Sequence, residues 1–193
     1  MDTNRTFTLV PPARLEGYGV RLRPWADGDL ADLVALYDDP EMARWTPVAS
    51  PFDTEAARAY LAGAQEGQAE GRKVQLAITT DGVLPLGEVL LFRSAANERD
   101  LELAYGVGPA HRGQGLAGRA VRLAAEYALR EIRPRRVVLC IAAGNAASEA
   151  VARSCAFELA DEPPVRRVSR GREVVLRTWR LRTSPLRTSR LPT

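Results

Sequence analysis

Residues 101–129 read LELAYGVGPAHRGQGLAGRAVRLAAEYAL, and the order of events within them decides the fold. Leu101 to Val107 has strand character, and Gly108-Pro109 breaks it. His111-Arg112-Gly113-Gln114-Gly115 then opens a long helix expected over residues 114–131. A helix start leaves backbone N–H groups unpaired and carries the positive end of the dipole. Glycines there let an anion approach the main chain, Arg112 adds charge, and Ala117 and Gly118 keep the first turn bare. The stretch Arg112, Gly113, Gln114, Gly115, Leu116, Ala117, Gly118 thus has the chemistry of a diphosphate cradle.

Other phosphate loops fit less well. A Walker A loop needs Gly-Lys-[Ser/Thr], and no glycine here is followed by lysine. Gly113 to Gly118 does read G-x-G-x-x-G, but a dinucleotide fingerprint follows the first strand of its domain. Here the strand is the fourth, and no acidic residue ends the next one, Val137 to Ala142. A tight turn with no ligand remains the structural alternative.

Outward from this segment, Tyr18 to Pro24 alternates as a half-buried strand does, and Leu30, Leu33, Val34 and Tyr37 carry helical spacing over Asp27 to Asp38. Pro40 closes that helix, residues 46–53 read as loop, and Asp53 to Gln68 reads as a second helix. Val74 to Thr80 and Val83 to Phe92 flank an Asp81-Gly82 turn signal. Beyond Val137 to Ala142, Asn145 caps a helix to Cys155, and Phe157 to Leu159 and Glu173 to Leu181 end the pattern as strands. The strand–helix–strand in the middle implies a parallel pair, and the hairpins around it imply antiparallel ones. The expected fold is a single α/β (α+β) domain, a mixed, largely antiparallel sheet of about seven strands flanked by about four helices. Its expected limits are 16–182, with an N-terminal extension over 1–15 and a flexible tail over 183–193.

Composition narrows the function. The two cysteines, Cys140 and Cys155, form no CxxC pair, and His111 is the sole histidine, so no metal site is expected. A Cys–His nucleophile pair is permitted by count, but buried apolar cysteine is the common case. No apolar run approaches the roughly 18 residues of a membrane span, and MDTNRTFTLV lacks the form of a secretion signal, so the expected location is the cytoplasm. Net charge is +3 and the basic residues are nearly all arginine, dense only from Arg166 to Arg190. An exposed charged strand explains that density better than a nucleic-acid surface, which would cluster basic and aromatic groups.

Arg112-Gly113-Gln114-Gly115-Leu116-Ala117 fits [Q/R]-x-x-G-x-[G/A] at every fixed position. Glu102 to Val107 precedes it, Arg21-Leu22-Arg23-Pro24-Trp25 with Asp29-Leu30 opens the chain, and Asn145 with Ser148 and Phe157 follows. In these blocks, over about residues 18–182, the sequence resembles the GNAT superfamily of N-acetyltransferases, most closely its ribosomal-protein N-terminal (alanine/serine) acetyltransferase branch. The resemblance implies acetyl-CoA as cofactor and direct acetyl transfer to a primary amine, on a protein N-terminus or a small molecule, with a homodimer as a usual assembly. It implies that Tyr105, Gly106 and Val107 hold the pantetheine arm by their backbones, with Asn145 and Ser148 near its amide and sulfur.

Glu102 is the candidate for taking the amine proton, and Ser148 the second catalytic candidate. A solvent-facing carboxylate and an ordinary first-turn serine are the bland readings, and Asn145 can be a helix cap and a ligand at once. Trp25, Trp45, Pro47, Phe52 and Trp179 are candidates for the acceptor wall, with Asp38, Asp39 and Glu41 available as its acidic groups. Two positions depart from the family: Ala156 stands where glycine is usual, and Ala152 where many members carry a proton-donating tyrosine. The second departure keeps a non-catalytic CoA- or acyl-CoA-binding sensor as the alternative function.

Overall fold

The computed structural model describes residues 7–182, so the expected tail lies outside the described residues. Strands β1 (Leu15–Gly17) and β2 (Val20–Pro24) lead into helices α1 (Leu30–Tyr37), α2 (Pro40–Trp45) and α3 (Thr54–Ala69). Then come β3 (Lys73–Thr79), β4 (Gly87–Arg93), β5 (Asp100–Val107), α4 (Leu116–Tyr127), β6 (Arg136–Ala142), α5 (Ala146–Ser154), β7 (Phe157–Leu159), β8 (Val165–Ser169) and β9 (Arg172–Leu181). All strands join one sheet in the order β1-β2-β3-β4-β5-β6-β9-β7, with β8 also on β9. Only β5 and β6 run parallel, joined by the α4 crossover.

The sheet carries a hydrophobic layer on each face. Leu101, Leu103, Leu139 and Ile141 pack with Leu116, Ala120, Val121 and Ala124 of α4 in the main core. Leu33, Leu36, Tyr37, Met42, Phe52 and Ala57 form a second cluster within α1–α3. Three elements exceed the expectation. The first is β1, three residues long, preceded by Leu9, which is 1% exposed in the main core. The extension thus packs on the domain as far as it is described. The second is α2: Pro40 does not close α1 but starts a new helix, whose Met42 N–H the Asp39 carboxylate accepts at 2.9 Å. The third is β8, which makes a hairpin with β9.

One strand is shorter than expected. The Asp81 carboxylate accepts the N–H groups of Val83 and Leu84, 2.8 and 2.9 Å away, so the chain turns there and β4 starts only at Gly87. Helix α4 also stops early, at Tyr127, and continues to Ile132 as a wider π turn. Ala156, at the usual glycine position, keeps a left-handed φ of 61°.

Candidate functional site

The parallel register of β5 and β6 pairs Asp100 with Arg136 through Leu103 with Leu139, and no further. Beyond it, residues 104–107 and 140–142 splay apart. Backbone parity decides what the gap offers. Asp100 C=O accepts Ser94 N–H, and Gly108 N–H donates to Leu86 C=O, so even-numbered residues turn their main chain to β4. Tyr105 and Val107 therefore turn theirs into the gap, where no strand of the described residues meets them. Gly106, expected to share that role, faces β4 instead. A Cβ on it would come 2.5 Å from Met42 Cε, so a side chain there would have to push the end of Met42 aside.

The gap runs into the loop before α4. Gly113 and Gly115 hold φ of 75° and 72°, a region where a side chain is strained, and a Cβ on either would meet nothing within 4 Å. The first helical bond joins Arg119 N–H to Gly115 C=O at 3.1 Å, so the N–H groups of Leu116, Ala117 and Gly118 open outward. Leu116 points its side chain into the core, and Gly118 lies against Cys155, whose thiol reaches the Gly118 carbonyl at 3.3 Å. These positions thus offer main-chain donors, while the Leu116 side chain and the bare Gly118 let the helix pack against the core and Cys155. Gln114 is exposed, its amide 3.5 Å from Ala110 C=O.

Arg112 is already engaged. Its Nε donates to Val107 C=O at 3.2 Å, and its Nη2 pairs with the Asp39 carboxylate at the head of α2. Burial raises the Asp39 pKa, but Arg112 and the Met42 N–H outweigh it and hold the group below the ordinary carboxylate value. Arg119, one turn along α4, brings a second guanidinium: it donates to Gln114 C=O at 3.2 Å and Gly19 C=O at 3.3 Å. The sequence reading missed it; its only signal was the four-residue spacing from Gly115.

Asn145 accepts the Ser148 N–H at 3.0 Å and so caps α5. Tyr105 donates its phenol to Ser148 C=O at 3.2 Å, which joins the end of β5 to the first turn of α5. Burial pushes the Tyr105 phenol up to about 12, so it stays protonated at neutral pH.

Glu102 is not a solvent-facing carboxylate. Its side chain is 2% exposed and accepts Arg167 Nη2 at 2.6 Å, while Arg167 remains 32% exposed. In a flat sheet, β8 would stand three strands, about 14 Å, from β5, beyond an arginine's reach. The contact therefore means that the β8–β9 hairpin curls over the sheet face. Its tip does the same on the far side, where Arg170 donates to Ala43 C=O in α2. Cys140 lies in the same cluster; burial first, then the Glu102 charge, pushes its thiol up to about 12.

A second buried carboxylate, Glu88 on β4, pairs across the strands with Gly106 and is 0% exposed. Trp25 Nε1 (2.7 Å), Gln75 Nε2 (2.9 Å), Tyr60 (2.6 Å) and Tyr37 all donate to it. The sequence reading passed over it, although a lone acid inside GEVLLFR is a signal of buried polar structure. Among the expected wall residues, Trp25 belongs to this network and Trp45 donates to Glu41 at 2.9 Å. Pro47 is exposed, whereas Phe52 is in the α1–α3 cluster. Trp179 is 5% exposed in the main core, with Arg153 5.0 Å above its ring. Asp38 and Asp39 serve the fold, accepting Phe52 N–H and Arg112.

The donors at the α4 start, the left-handed glycines and the edge of Tyr105 and Val107, which β6 does not cover, together suit a ligand with a diphosphate and an extended amide arm. Among the described residues no helix is long and apolar enough to cross a membrane.

Comparison with known proteins agrees with this geometry. Similar structures include RimJ from Mycobacterium smegmatis in complex with CoA-disulfide (20% identity, 86% of this chain and 85% of that one, TM-score 0.69). RimL, a ribosomal alpha-N-protein acetyltransferase in complex with coenzyme A, matches at 17% identity over 86% and 96% with a TM-score of 0.71. The microcin self-immunity acetyltransferase MccE, in complex with acetyl-CoA and AMP, matches at 17% identity over 85% and 92%, also with a TM-score of 0.71. At these identities the likeness concerns the fold. A sequence comparison with curated proteins gave no match. The acetyltransferase (GNAT) domain family model matches residues 20–158, most of the chain, and the protein belongs to that acetyltransferase family.

Proposed function

We propose that the protein is an acetyl-CoA-dependent N-acetyltransferase that moves the acetyl group directly to a primary amine. The observation that carries this reading is the splayed β5–β6 pair running into the bare start of α4. When bound, acetyl-CoA would supply an acetyl thioester; transfer to an amine that arrives protonated forms a C–N bond, breaks the C–S bond, puts one amine proton on the CoA thiol and releases the other. The N–H groups of residues 113–118, with Arg112 and Arg119 beside them, hold the diphosphate. The main chain of Tyr105 and Val107 would hold the arm as a neighbouring strand would, and an N–H there would be available to polarise the thioester carbonyl. Glu102, one residue before the point where β5 and β6 part, receives the amine proton. Ser148 and the protonated Tyr105 phenol stand at the first turn of α5 and would offer hydrogen bonds to the thiol end of the arm.

Direct transfer is favoured over a cysteine intermediate because Cys140 stays a thiol at neutral pH. The loss of a tyrosine at Ala152, which is fully buried, favours the alternative of a CoA-binding sensor without catalysis. Calorimetric titration with acetyl-CoA, beside the variant Gly115→Glu, tests the cofactor site. Micromolar binding abolished by the substitution is expected, since the new carboxylate lies against the diphosphate and at a left-handed φ. A folded wild-type protein that does not bind acetyl-CoA would overturn the reading. CoA thiol release with amines separates the enzyme from the sensor.

A further inference from the structure

The Glu102–Arg167 pair constrains what can be acetylated. Glu102 is almost fully covered, and the group covering it is a guanidinium brought in by a separate hairpin. An amine can reach the carboxylate only by displacing Arg167. Displacement by a plain amine leaves a half-buried guanidinium without its counterion, and breaking a buried pair in this way is costly. An acceptor that carries its own anion beside the amine removes that cost, because it completes both halves of the broken pair. The hairpin that delivers Arg167 also touches α2 through Arg170 and Ala43 C=O, so it spans the sheet face between Glu102 and α2. A face spanned in this way suits a small acceptor better than an extended chain.

We propose, on top of the acetyltransferase reading, that the acceptor is a small zwitterion, an amino group with a carboxylate a few bonds away. Its carboxylate takes Arg167 and its amino group takes Glu102. The carboxylate of the acceptor thereby uncovers the base that its own amine needs. Arg167 is then a specificity-determining residue, and Glu102 is masked towards amines that bring no anion. The proton released on transfer passes from the amine to Glu102 and on to solvent, and the acceptor's carboxylate is unchanged.

The test compares the proteinogenic amino acids and β-alanine, each with its own amide, as acceptors in a CoA thiol release assay. Spermidine and a tripeptide with a free N-terminus complete the panel. An amide carries a less basic amine, so intrinsic reactivity at neutral pH favours it and any preference for the acid comes from the site. The expected result is at least one amino acid preferred over its amide by about tenfold or more in kcat/KM, mostly through KM. Arg167→Gln is expected to raise KM for that acid and bring the ratio near unity, while Arg167→Lys restores part of it. Amides, spermidine or the tripeptide acetylated as well as the acids would overturn the proposal, and so would a preference that survives Arg167→Gln. The wild-type comparison decides the matter even if Arg167→Gln does not fold. Binding of acetyl-CoA with no acceptor turned over would instead overturn the amine-transfer reading itself, and this proposal with it.

Discussion

Glu88 and Glu102 project from neighbouring strands onto the same face of the sheet, both buried, and they are satisfied in opposite ways. Glu88 has neutral donors from β2's end, α1, α3 and β3, every one rigidly placed. Glu102 has a single cation from the curled end of a hairpin. A carboxylate held by several neutral donors on fixed elements is a structural pin, since no ligand can replace them all. A carboxylate held by one exchangeable guanidinium can trade that partner for a substrate. Donor number and the rigidity of their carriers thus separate a fold-maintaining acid from a chemical one better than burial does.

The comparison breaks most visibly at Glu88. Glu88→Ala strands the surrounding donors in a cavity and is expected to lower unfolding free energy by about 3–5 kcal/mol, read by urea denaturation. A loss below about 1 kcal/mol would show that the network is not a pin. Glu102→Gln should invert the pattern. Stability is expected to fall by about 2 kcal/mol, less than at Glu88 because the amide oxygen still accepts from the half-buried Arg167 guanidinium, while kcat drops by about a hundredfold and the pH–rate profile changes. An unchanged profile would remove Glu102 from the role of base.

Tyr60→Phe deletes one donor of Glu88 and should cost about 1–2 kcal/mol. It also carries a pH signature. Burial, and then the Glu88 charge, raise the Tyr60 phenol well above its ordinary value. A raised folded pKa gives stability that is complete below the unfolded tyrosine value, about 10, and is lost as pH rises beyond it. Tyr60→Phe should therefore lose less stability than wild type between neutral pH and the alkaline range; parallel curves would contradict the assigned environment. The smallest effect is expected at Ala156. Glycine relieves the left-handed φ of 61° and should stabilise by about 1 kcal/mol, seen as a modest rise in Tm.

Much of the fold could be read in advance because its central segment is punctuated by residues with one physical meaning each. Gly113 and Gly115 were read as keeping side chains off the main chain, and both adopt a left-handed φ with open space where a Cβ would lie. What was hidden depended on partners distant in sequence. Three residues of β1 carry too little periodicity to register, and Pro40 signals a stop and a start equally well. Strand β8 reads VRRVS, two adjacent arginines with no alternation of apolar and polar residues, and it makes sense as a strand only when Arg167 is seen to turn inward to Glu102. Glu102 was visible as a candidate, but its partner was not, because an ion pair across 65 residues leaves no local trace. The backbone direction of Gly106 follows from strand parity, which needs the register with β4 and not the motif.

The parting of β5 from β6 has a further thermodynamic consequence. A sheet with an internal edge is incomplete, and a ligand that fills the gap supplies hydrogen bonds the chain cannot make for itself. Such a ligand binds the folded chain alone, so every tenfold rise in its free concentration above Kd adds about 1.4 kcal/mol to stability. The melting temperature of this protein thus acts as a gauge of cofactor supply: the same molecules that feed the reaction also determine how long the catalyst survives heat and proteases.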